Sequence, residues 1–516
     1  MRIDADSKSV DREAAELSSS LSRRRLLTLL GGSAFLPFSN SCSPGSTTGS
    51  EADDGALHYA SLRDLALLIE SKQLSPVELT QMLLDRIATV DARLKSYATV
   101  MTKHAMAAAR VAEQEIQAGE YRGPLHGIPV AVKDLCYTKG VRTMGGSGVL
   151  ADFVPDHDAT VVSKLAEAGG VLLGKLNLTE GATAGYHPDF DIPVNPWGED
   201  LWAGVSSSGS GVATAAGLCF ASLGSDTGGS IRFPSAANGT VGLKPTYGRV
   251  SRYGVLPLAE SLDHVGPMTR RTADAAIVFE AIAGFDPNDP TSLREPVPNM
   301  LAELDEGIEG LRIGFDKDYA DLIEDSGLVT SIEEALGELE RRGAHIVDVT
   351  VPEVQPVVFP ILQVEARKAH SENYPSRADE YGPNFRDVLA TGTDVTEEQY
   401  QEAVEIRADF STRFQAVLST VDALASPAGR VPFPVSRELQ YGRMLPLQEK
   451  LRFPWQFTFP ANLAGTPSLS LPCGFSDDGL PYTMQLMGDR LSEALLCRIG
   501  HAYEEVTEWH KRHPDA

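Results

Sequence analysis

Apolar residues along this chain recur with two alternating periods after residue 56. Segments in which they lie three or four positions apart predict amphipathic helices, and short runs of Val, Ile and Leu predict buried strands. Helices are predicted to follow the N-cap residues Ser61 and Ser75 and to cover 103–118, 161–168, 272–283, 331–342 and 492–509. Strands are predicted over 125–132, 171–174, 312–314, 345–349, 466–472 and 482–486. This alternation predicts an α/β sheet.

A long polar segment, 365–414, is predicted to be helical. Four aromatic residues are interspersed in it, at Tyr374, Tyr381, Phe385 and Tyr400. Aromatic side chains at irregular spacing usually serve packing. The segment is therefore predicted to form an outer helical layer rather than a cap over a site.

The N-terminal segment differs in character from the rest of the chain. An arginine run at 23–25 precedes an apolar run over 26–38, which is too short to span a bilayer and resembles a twin-arginine export signal. Residues 39–55 are rich in Ser, Gly, Thr and Asp, which is typical of a cleavage zone and a flexible tether. We therefore predict a signal peptide and tether over 1–55, a folded domain over 56–512, and export to the periplasm by the twin-arginine translocation machinery.

Two interpretations of this terminal segment stay open. Cys42 is a candidate lipid acceptor for membrane anchoring, although the preceding Ser39, Asn40 and Ser41 make a poor lipobox. A frayed N-terminal helix is the alternative to a signal, since polar residues flank an apolar run that is too short to pack well alone.

Composition is typical of a soluble globular enzyme. Of the 516 residues, 42% are hydrophobic and 22% are charged. The formal net charge of -26 argues against an overall nucleic-acid-binding surface and favours a solvated acidic one. Five cysteines occur without a C-x-x-C pair, which argues against a zinc knuckle or a thioredoxin-like motif.

Two glycine-containing segments partly match nucleotide-binding motifs, but each lacks a residue that its motif requires. The segment 169–175 approaches a P-loop, but Leu176 occupies the position that requires a metal-coordinating hydroxyl. The G-x-G that begins at Gly209 lacks the third glycine of a dinucleotide fingerprint, because Thr214 stands there. Neither segment therefore predicts nucleotide binding.

The stretch 202–252 carries the candidate chemistry. Three consecutive serines, 206–208, begin an Ala/Gly-rich run, and two glycines precede Ser230 in the segment 226–230. Glycines beside a serine let the backbone approach a ligand and direct several N–H groups towards a developing oxyanion. Ser230 is therefore the candidate nucleophile.

A serine hydroxyl is a weak nucleophile that needs a base, and the chain has neither a G-x-S-x-G elbow nor an S-x-x-K signature. Lys133 follows the predicted strand 125–132, at the end where ligands of α/β sheets bind. Burial beside apolar strand residues favours the neutral form of a lysine, which can act as a base. The serines 206–208 offer a hydroxyl that can relay the proton between Ser230 and Lys133.

Five segments carry a resemblance to a known family. They are GIPVAVKD at 127–134, SSSGSG at 206–211, DTGGSIRFP at 226–234, GLKPT at 242–246 and LPCG at 471–474. Over about residues 57–509 the chain resembles the amidase signature family, and Ser230 follows Ser206 at that family's spacing between its two catalytic serines. The resemblance implies an α/β fold with a single large domain, in which helices sandwich a central mixed β-sheet.

The resemblance also implies a role for each site residue. Ser230 is the implied acylating nucleophile, Ser206 the relay serine after a cis peptide bond, and Lys133 the base. The implied supporting residues are Ser207, which steadies the relay, Thr227, Gly228, Gly229 and Ser230, whose N–H groups form the oxyanion hole, and Asp226 and Arg232, which hold the loop in shape. Val205 stands where the family usually has Gly before the relay serine. No metal and no cofactor are implied.

The predicted function is hydrolysis of a small-molecule carboxylic amide, through a Ser-Ser-Lys triad and an acyl-enzyme, with release of ammonia or an amine. A homodimer is left open. One alternative is a glutaminase that resembles the A subunit of glutamyl-tRNA amidotransferase, which the export signal opposes because that machinery is cytoplasmic. The other is an export-targeted binding protein without activity, which the intact Ser230, Ser206 and Lys133 oppose.

Overall fold

A mixed β-sheet forms the centre of the fold. The computed structural model describes residues 57–443, 446 and 454–516, and an 11-stranded sheet lies within them. The strands are β1 (Tyr97–Val100), β2 (Pro129–Lys133), β3 (Val171–Leu176), β4 (Ala221–Asp226), β5 (Val241–Lys244), β6 (His264–Thr269), β7 (Arg312–Phe315), β8 (His345–Asp348), β9 (Ala423–Pro427), β10 (Ser468–Phe475) and β11 (Pro481–Met487). The predicted signal and tether over 1–55 lie outside the described residues.

The strand order across the sheet is β1-β3-β2-β4-β6-β5-β10-β11-β9-β7-β8. Parallel pairs lie towards both ends, because β2 is parallel to β3 and β4, and β7 is parallel to β8 and β9. Antiparallel pairs join β4 through β6, β5, β10 and β11 to β9, and β1 pairs antiparallel with β3. The single α/β domain with a mixed sheet is thus confirmed, and residues 58–516 form one compact unit.

Helices flank this sheet. Those of seven or more residues are α1 (Leu62–Glu70), α2 (Pro76–Arg86), α3 (Thr102–Ala118), α4 (Thr160–Glu167), α5 (Ser208–Ala215), α6 (Arg232–Asn238), α7 (Thr272–Ile282), α8 (Ser326–Arg341), α9 (Val358–Ala369), α10 (Pro383–Asp394), α11 (Glu397–Leu418), α12 (Trp455–Leu463) and α13 (Glu493–Glu504). Within the described part of the chain, none combines the length and the apolar composition that a membrane crossing requires.

Capping side chains fix where several helices begin. Ser61 Oγ accepts a hydrogen bond from Asp64 N at 3.0 Å, and Ser75 caps α2 in the same way. Helix α8 begins earlier than the predicted position 331, because the Asp325 side chain accepts from Leu328 N at 3.1 Å. An N-cap side chain thus moved this boundary, whereas the apolar periodicity had indicated only the helix interior.

Strand β2 is shorter than the predicted 125–132 run. The residues before it form a turn, in which Ile128 N donates to Leu125 O at 3.0 Å and Gly127 has a φ of +83°. A left-handed residue interrupts a strand, so pairing begins only at Pro129. The end of β2 lies one residue beyond the prediction, at Lys133.

Two short helices hold the central stretch against the sheet. Helix α5 is buried along its whole length and packs against β4 and α6. Its second residue, Gly209, packs closely against the backbone of Ser96 and Asn177. A Cβ atom at this position would lie only 2.5 Å from the carbonyl oxygens of both residues. Only glycine permits this approach. It brings the residues just before α5 to the carboxyl ends of β2 and β4.

Candidate active site

Lys133 is fully buried at the carboxyl end of β2 and is surrounded by hydroxyl groups. Its Nζ donates to Ser206 Oγ at 2.7 Å, to Ser225 Oγ at 2.9 Å and to Ser207 Oγ at 3.0 Å. No carboxylate among the described residues forms an ion pair with it. Burial therefore lowers the pKa of Lys133 to about 7, so that a large fraction of the amine is neutral near neutral pH.

Ser206 and Ser207 reach this amine from the segment that precedes α5. The peptide bond between Val205 and Ser206 is cis, as the resemblance implies, although Val replaces the usual Gly. Ser207 Oγ also donates to Ser225 O at 3.1 Å and accepts from Ser225 N at 3.2 Å. Ser207 is thereby fixed to the end of β4, which holds it beside Lys133.

Ser230 lies on the loop between β4 and α6. Its backbone oxygen accepts from Ser207 N at 3.3 Å, so the two serine segments are in direct contact. The residue is 9% exposed, and within the described part of the chain its hydroxyl has no hydrogen-bond partner. Ser230 borders a pocket, and its backbone contact with Ser207 joins its loop to the segment that carries Ser206.

Asp226 and Arg232 brace this loop from both ends. Arg232 donates from Nε to Asp226 Oδ2 and from Nη2 to Asp226 Oδ1, both at 3.0 Å, and both side chains are fully buried. Asn462 joins them, donating to Asp226 Oδ1 at 2.9 Å and accepting from Arg232 at 2.6 Å. Burial alone would raise the pKa of Asp226, but the charge of Arg232 outweighs burial and holds that pKa below its usual range.

The backbone amides of the loop divide into two groups. Gly229 N donates to Asp226 Oδ1 at 2.8 Å, so its N–H is already occupied, contrary to the expectation that it faces an oxyanion. The amides of Thr227, Gly228 and Ser230 have no acceptor among the described residues. The physical reason is the position of the Asp226 carboxylate, which Arg232 holds within reach of the Gly229 amide.

Thr227 is positioned by a residue that the sequence patterns did not single out. Its Oγ1 donates to Asp263 Oδ1 at 2.6 Å. Asp263 Oδ2 in turn accepts from Leu258 N at 2.9 Å and from Ala259 N at 3.0 Å. Ser225, Asp263 and Asn462 are single residues outside any motif, and only the fold brings them to the loop.

An apolar pocket of about 110 Å³ lies beside Ser230, and we name it the aromatic pocket. Its walls include Phe233 of α6, Phe359 of α9, Val388 of α10, and Trp455 and Phe459 of α12. A larger cavity of about 810 Å³ adjoins it, and the two share Ala182, Thr227 and Leu258. We name it the polar cavity after the charged residues in its lining, which also includes apolar side chains. The polar cavity also reaches Ser225, and its charged lining residues are Arg252, Glu260, Asp263, Asp289, Glu365, Lys368 and Glu397.

The prediction that 365–414 forms only an outer layer is wrong. Val388 borders the aromatic pocket, and Glu365, Lys368 and Tyr400 border the polar cavity. The segment consists of parts of three separate helices, α9 to α11, rather than one. The aromatic residues are irregularly spaced because they do not lie on one helix, and one helical period does not extend across the boundaries between the helices.

One group of side chains in the described residues comes close enough to share a cation. It consists of Asp305, His501 and Glu505. None of the three lines the aromatic pocket or the polar cavity as the described residues define them. Glu505 already pairs with Arg342. This group takes no part in the arrangement around Lys133.

A buried lysine bonded to three serine hydroxyls, one of which belongs to a residue in backbone contact with Ser230, is suited to acyl transfer when the Ser230 loop also offers three unpaired amides. The chain belongs to the Amidase family, whose model matches residues 78–497. It is an amidase, a hydrolase that acts on amides.

Individual relatives support this membership. AmiD of Mycobacterium tuberculosis, which is named as an amidase, is 44% identical over 466 residues, 90% of this chain and 97% of the relative. The A subunit of glutamyl-tRNA(Gln) amidotransferase from Chloroflexus aggregans is 38% identical over 488 residues, 89% of this chain and 99% of that relative. The crystal structure of peptide amidase from Stenotrophomonas maltophilia is similar with a TM-score of 0.77 and 33% identity, over 89% of this chain and 98% of that one.

Proposed function

We propose that this protein hydrolyses carboxylic amides with Ser230 as nucleophile, Ser206 as proton relay and Lys133 as base. The observation that carries the proposal is the 2.7 Å hydrogen bond between Lys133 Nζ and Ser206 Oγ, together with the backbone hydrogen bond that joins Ser207 to Ser230. A lysine is a competent base only when neutral, and burial brings the pKa of Lys133 to about 7.

Neutral Lys133 keeps two N–H groups for Ser207 and Ser225, and its lone pair accepts from Ser206 in place of the third donation. In the first step Ser206 passes its proton to this lone pair and takes the proton of Ser230. Ser230 Oγ attacks the amide carbon, and the carbonyl oxygen gains the negative charge. The free amides of Thr227 and Gly228, together with that of Ser230, supply donors for this oxyanion. Preorganised donors of this kind are worth about 3 to 4 kcal/mol each in acyl transfer.

In the second step the carbon–nitrogen bond breaks. The departing nitrogen takes a proton from Ser206, which Lys133 replenishes, so that ammonia or an amine leaves neutral and an ester joins the acyl group to Ser230. Water then attacks this ester with Lys133 and Ser206 again acting as base and relay. The net reaction converts amide and water into carboxylic acid and amine, and it regenerates neutral Lys133.

The remaining side chains of the site serve to position these groups. Ser207 and Ser225 accept the other two hydrogen bonds of Lys133, which directs the amine towards Ser206. Asp226 and Arg232 hold the loop, and Gly229 contributes through its bond to Asp226 rather than to the oxyanion. Catalytic geometry depends on such supporting contacts.

The decisive experiment is covalent labelling together with turnover. A fluorophosphonate should add to Ser230 of the folded protein, as located by peptide mass spectrometry, and Ser230→Ala should abolish both labelling and amide hydrolysis. Ser163→Ala, on α4, is the matched control and should change neither. Full activity of Ser230→Ala, with an unaltered circular dichroism spectrum, would disprove the assignment.

A second candidate function is that of the glutaminase component of a tRNA-dependent amidotransferase. The 38% identity to the A subunit from Chloroflexus aggregans, over 99% of that relative, favours it. Such a component works with partner chains, so it should co-purify with them from its own cell. Purification of a chain that hydrolyses simple amides alone and carries no partner would exclude this function.

We also propose that the chain is exported through its arginine run at 23–25. The proposal rests on the sequence, since these residues lie outside the described part of the chain. Replacing Arg23 and Arg24 together with lysine should retain the protein in the cytoplasm, while the unaltered chain is found in the periplasmic fraction. Equal distribution of both chains would contradict export by the twin-arginine route. A protein that is exported and fails to label at Ser230 would instead be an inactive binding protein.

A further inference from the structure

The aromatic pocket indicates which amides this enzyme prefers, an inference that rests on the proposed function. Three of the aromatic rings that line this pocket come from two different helices. Phe359 of α9 meets Phe459 of α12 edge to face, with ring centroids 5.5 Å apart, and meets Trp455 at 6.4 Å. Trp455 and Phe459 lie 5.3 Å apart. Aromatic pairs at these separations form a fixed apolar surface.

The size of the pocket limits its occupant. Its volume of about 110 Å³ is somewhat below the roughly 150 Å³ of an engineered apolar cavity that accepts benzene. One aromatic ring or one branched aliphatic chain therefore fits, with part of the group at the open side facing Ser230. A long acyl chain or a charged group does not match these walls.

The neighbouring polar cavity indicates on which side of the scissile bond this group lies. The polar cavity reaches Ser225, whose Oγ is 2.9 Å from Lys133 Nζ. The leaving nitrogen takes its proton from Ser206, which Lys133 replenishes, and Ser225 beside Lys133 belongs to the polar cavity, so the leaving group is placed on the side of that cavity. Ser230 lines the aromatic pocket and Ser225 does not, so the acyl group of the substrate is the part that enters this pocket.

We propose that the enzyme acts on amides whose acyl group carries one aromatic ring or branched aliphatic chain beside the carbonyl, and that the aromatic pocket binds this group. Transfer of a ring from water into such a pocket should raise kcat/KM by about 10- to 150-fold over a substrate without it. Phenylacetamide and 3-methylbutanamide are therefore preferred to acetamide.

Asn384 is a polar residue in the otherwise mostly apolar lining of the aromatic pocket. The residue is 1% exposed, and its Nδ2 has no acceptor in the described part of the chain, while its Oδ1 lies 3.5 Å from Thr183 Oγ1. A buried donor without an acceptor favours a ligand that supplies one. A ring with a hydroxyl group, as in 4-hydroxyphenylacetamide, should therefore be a better substrate than phenylacetamide, and Asn384→Leu should remove this advantage.

The test compares kcat/KM for phenylacetamide and acetamide with the full-length protein. Trp455→Ala and Phe359→Ala should lower the phenylacetamide to acetamide ratio at least about fivefold. Val388→Phe, which fills the pocket without removing a wall, should lower it as well. Phe285→Ala removes an exposed ring that lines neither cavity, and it should leave both values unchanged.

The possible results separate this inference from the proposed function. If acetamide and phenylacetamide are hydrolysed equally well and both reactions need Ser230, the pocket assignment is wrong and the triad stands. A preference for N-benzylacetamide over phenylacetamide would overturn the placement on the acyl side. If no amide is hydrolysed and Ser230 is not labelled, the proposed function itself fails.

Discussion

Arg232 and Asp226 form a bidentate pair, in which Nε and Nη2 of the guanidinium each lie 3.0 Å from a different carboxylate oxygen. Both side chains are fully buried, and the loop between them carries Ser230. Two parallel hydrogen bonds fix orientation as well as distance, which a lysine ammonium does not reproduce. The pair therefore sets the direction in which Gly228 and Ser230 present their amides.

We predict that Arg232→Met destabilises the protein by about 3 to 5 kcal/mol, because it leaves the Asp226 charge buried without its partner. Arg232→Lys should fold better but lower kcat/KM, since the loop loses its second hydrogen bond. Urea unfolding and amide turnover measure the two effects separately. Arg341→Met, at an exposed position of α8, is the control and should change stability by less than about 0.5 kcal/mol. Equal stability of Arg232→Met and the unaltered protein would contradict this role.

The pH dependence of hydrolysis should follow the ionisation of Lys133. Burial lowers its pKa to about 7, and only the neutral amine accepts a proton. For an uncharged substrate, kcat/KM should therefore rise tenfold per pH unit below about 7 and level off above it. A profile measured from pH 5 to 9 with phenylacetamide tests this, with a circular dichroism spectrum at each pH as the control for folding. A flat profile over that range would exclude Lys133 as the base.

Glu180 should make stability depend on pH in the opposite way to most carboxylates. It is fully buried, accepts from Ser147 Oγ at 2.7 Å and from Gly382 N at 2.8 Å, and burial raises its pKa from 4.5 to about 8. The folded state therefore retains this proton while the unfolded state loses it. The contribution of protonated Glu180 to the free energy of unfolding is fully present below about pH 4.5. It falls by about 1.4 kcal/mol per pH unit between that pH and about pH 8.

The variant Glu180→Gln isolates this effect, because an amide stays neutral at every pH. Its free energy of unfolding relative to the unaltered protein should increase from pH 5 to pH 8, as measured by urea titration at both values. Glu334→Gln, at an exposed site on α8, should show no such trend. A difference that is the same at both pH values would mean that Glu180 is ionised in the folded protein.

Gly209 should tolerate no side chain. A Cβ atom there would lie 2.5 Å from two backbone oxygens, those of Ser96 and Asn177, so Gly209→Ala should destabilise the protein by about 1 to 3 kcal/mol or more. Gly337→Ala is the matched control, because only Arg341 Nη1 at 3.9 Å comes near its added methyl group within α8. It should stabilise that helix by about 0.5 to 1 kcal/mol. Thermal unfolding of the two variants distinguishes them, and similar melting temperatures would argue against the close approach of α5.

Local patterns in the sequence were sufficient to single out Lys133, Ser206 and Ser230, because each lies in a motif with its own spacing, and the fold brings their segments into contact. Their catalytic roles stay predictions. Local patterns were also sufficient for the helix interiors, where apolar periodicity is strong. Asn462 and Asp263 could not be found in this way, since each is a single polar residue that the sheet brings to the loop from a distant segment. The occupied amide of Gly229 depends on where the fold holds the Asp226 carboxylate, which composition does not determine.

The aromatic pocket was missed for a related reason. Its walls come from separate helices, and Phe359 and Trp455 are almost one hundred positions apart, on the order of a small domain in length. No window of the sequence contains both rings. Irregular aromatic spacing indicates packing, and Phe385 is indeed buried. The same helix, α10, also carries Val388, which lines the aromatic pocket, and the spacing does not indicate this second role.

The division between the two regions of the site has a consequence for how this scaffold diversifies. Lys133, the serine pair and the loop up to Arg232 come from one continuous stretch of the domain, 133–232, whereas most rings of the aromatic pocket come from α9 and α12. Under the proposed function, mutation in α9 and α12 can therefore alter the choice of substrate without replacing Lys133, Ser206 or Ser230. Exchange of the 358–463 region between related chains would transplant selectivity together with Asn462, which bonds to both Asp226 and Arg232, so the incoming region must retain this asparagine.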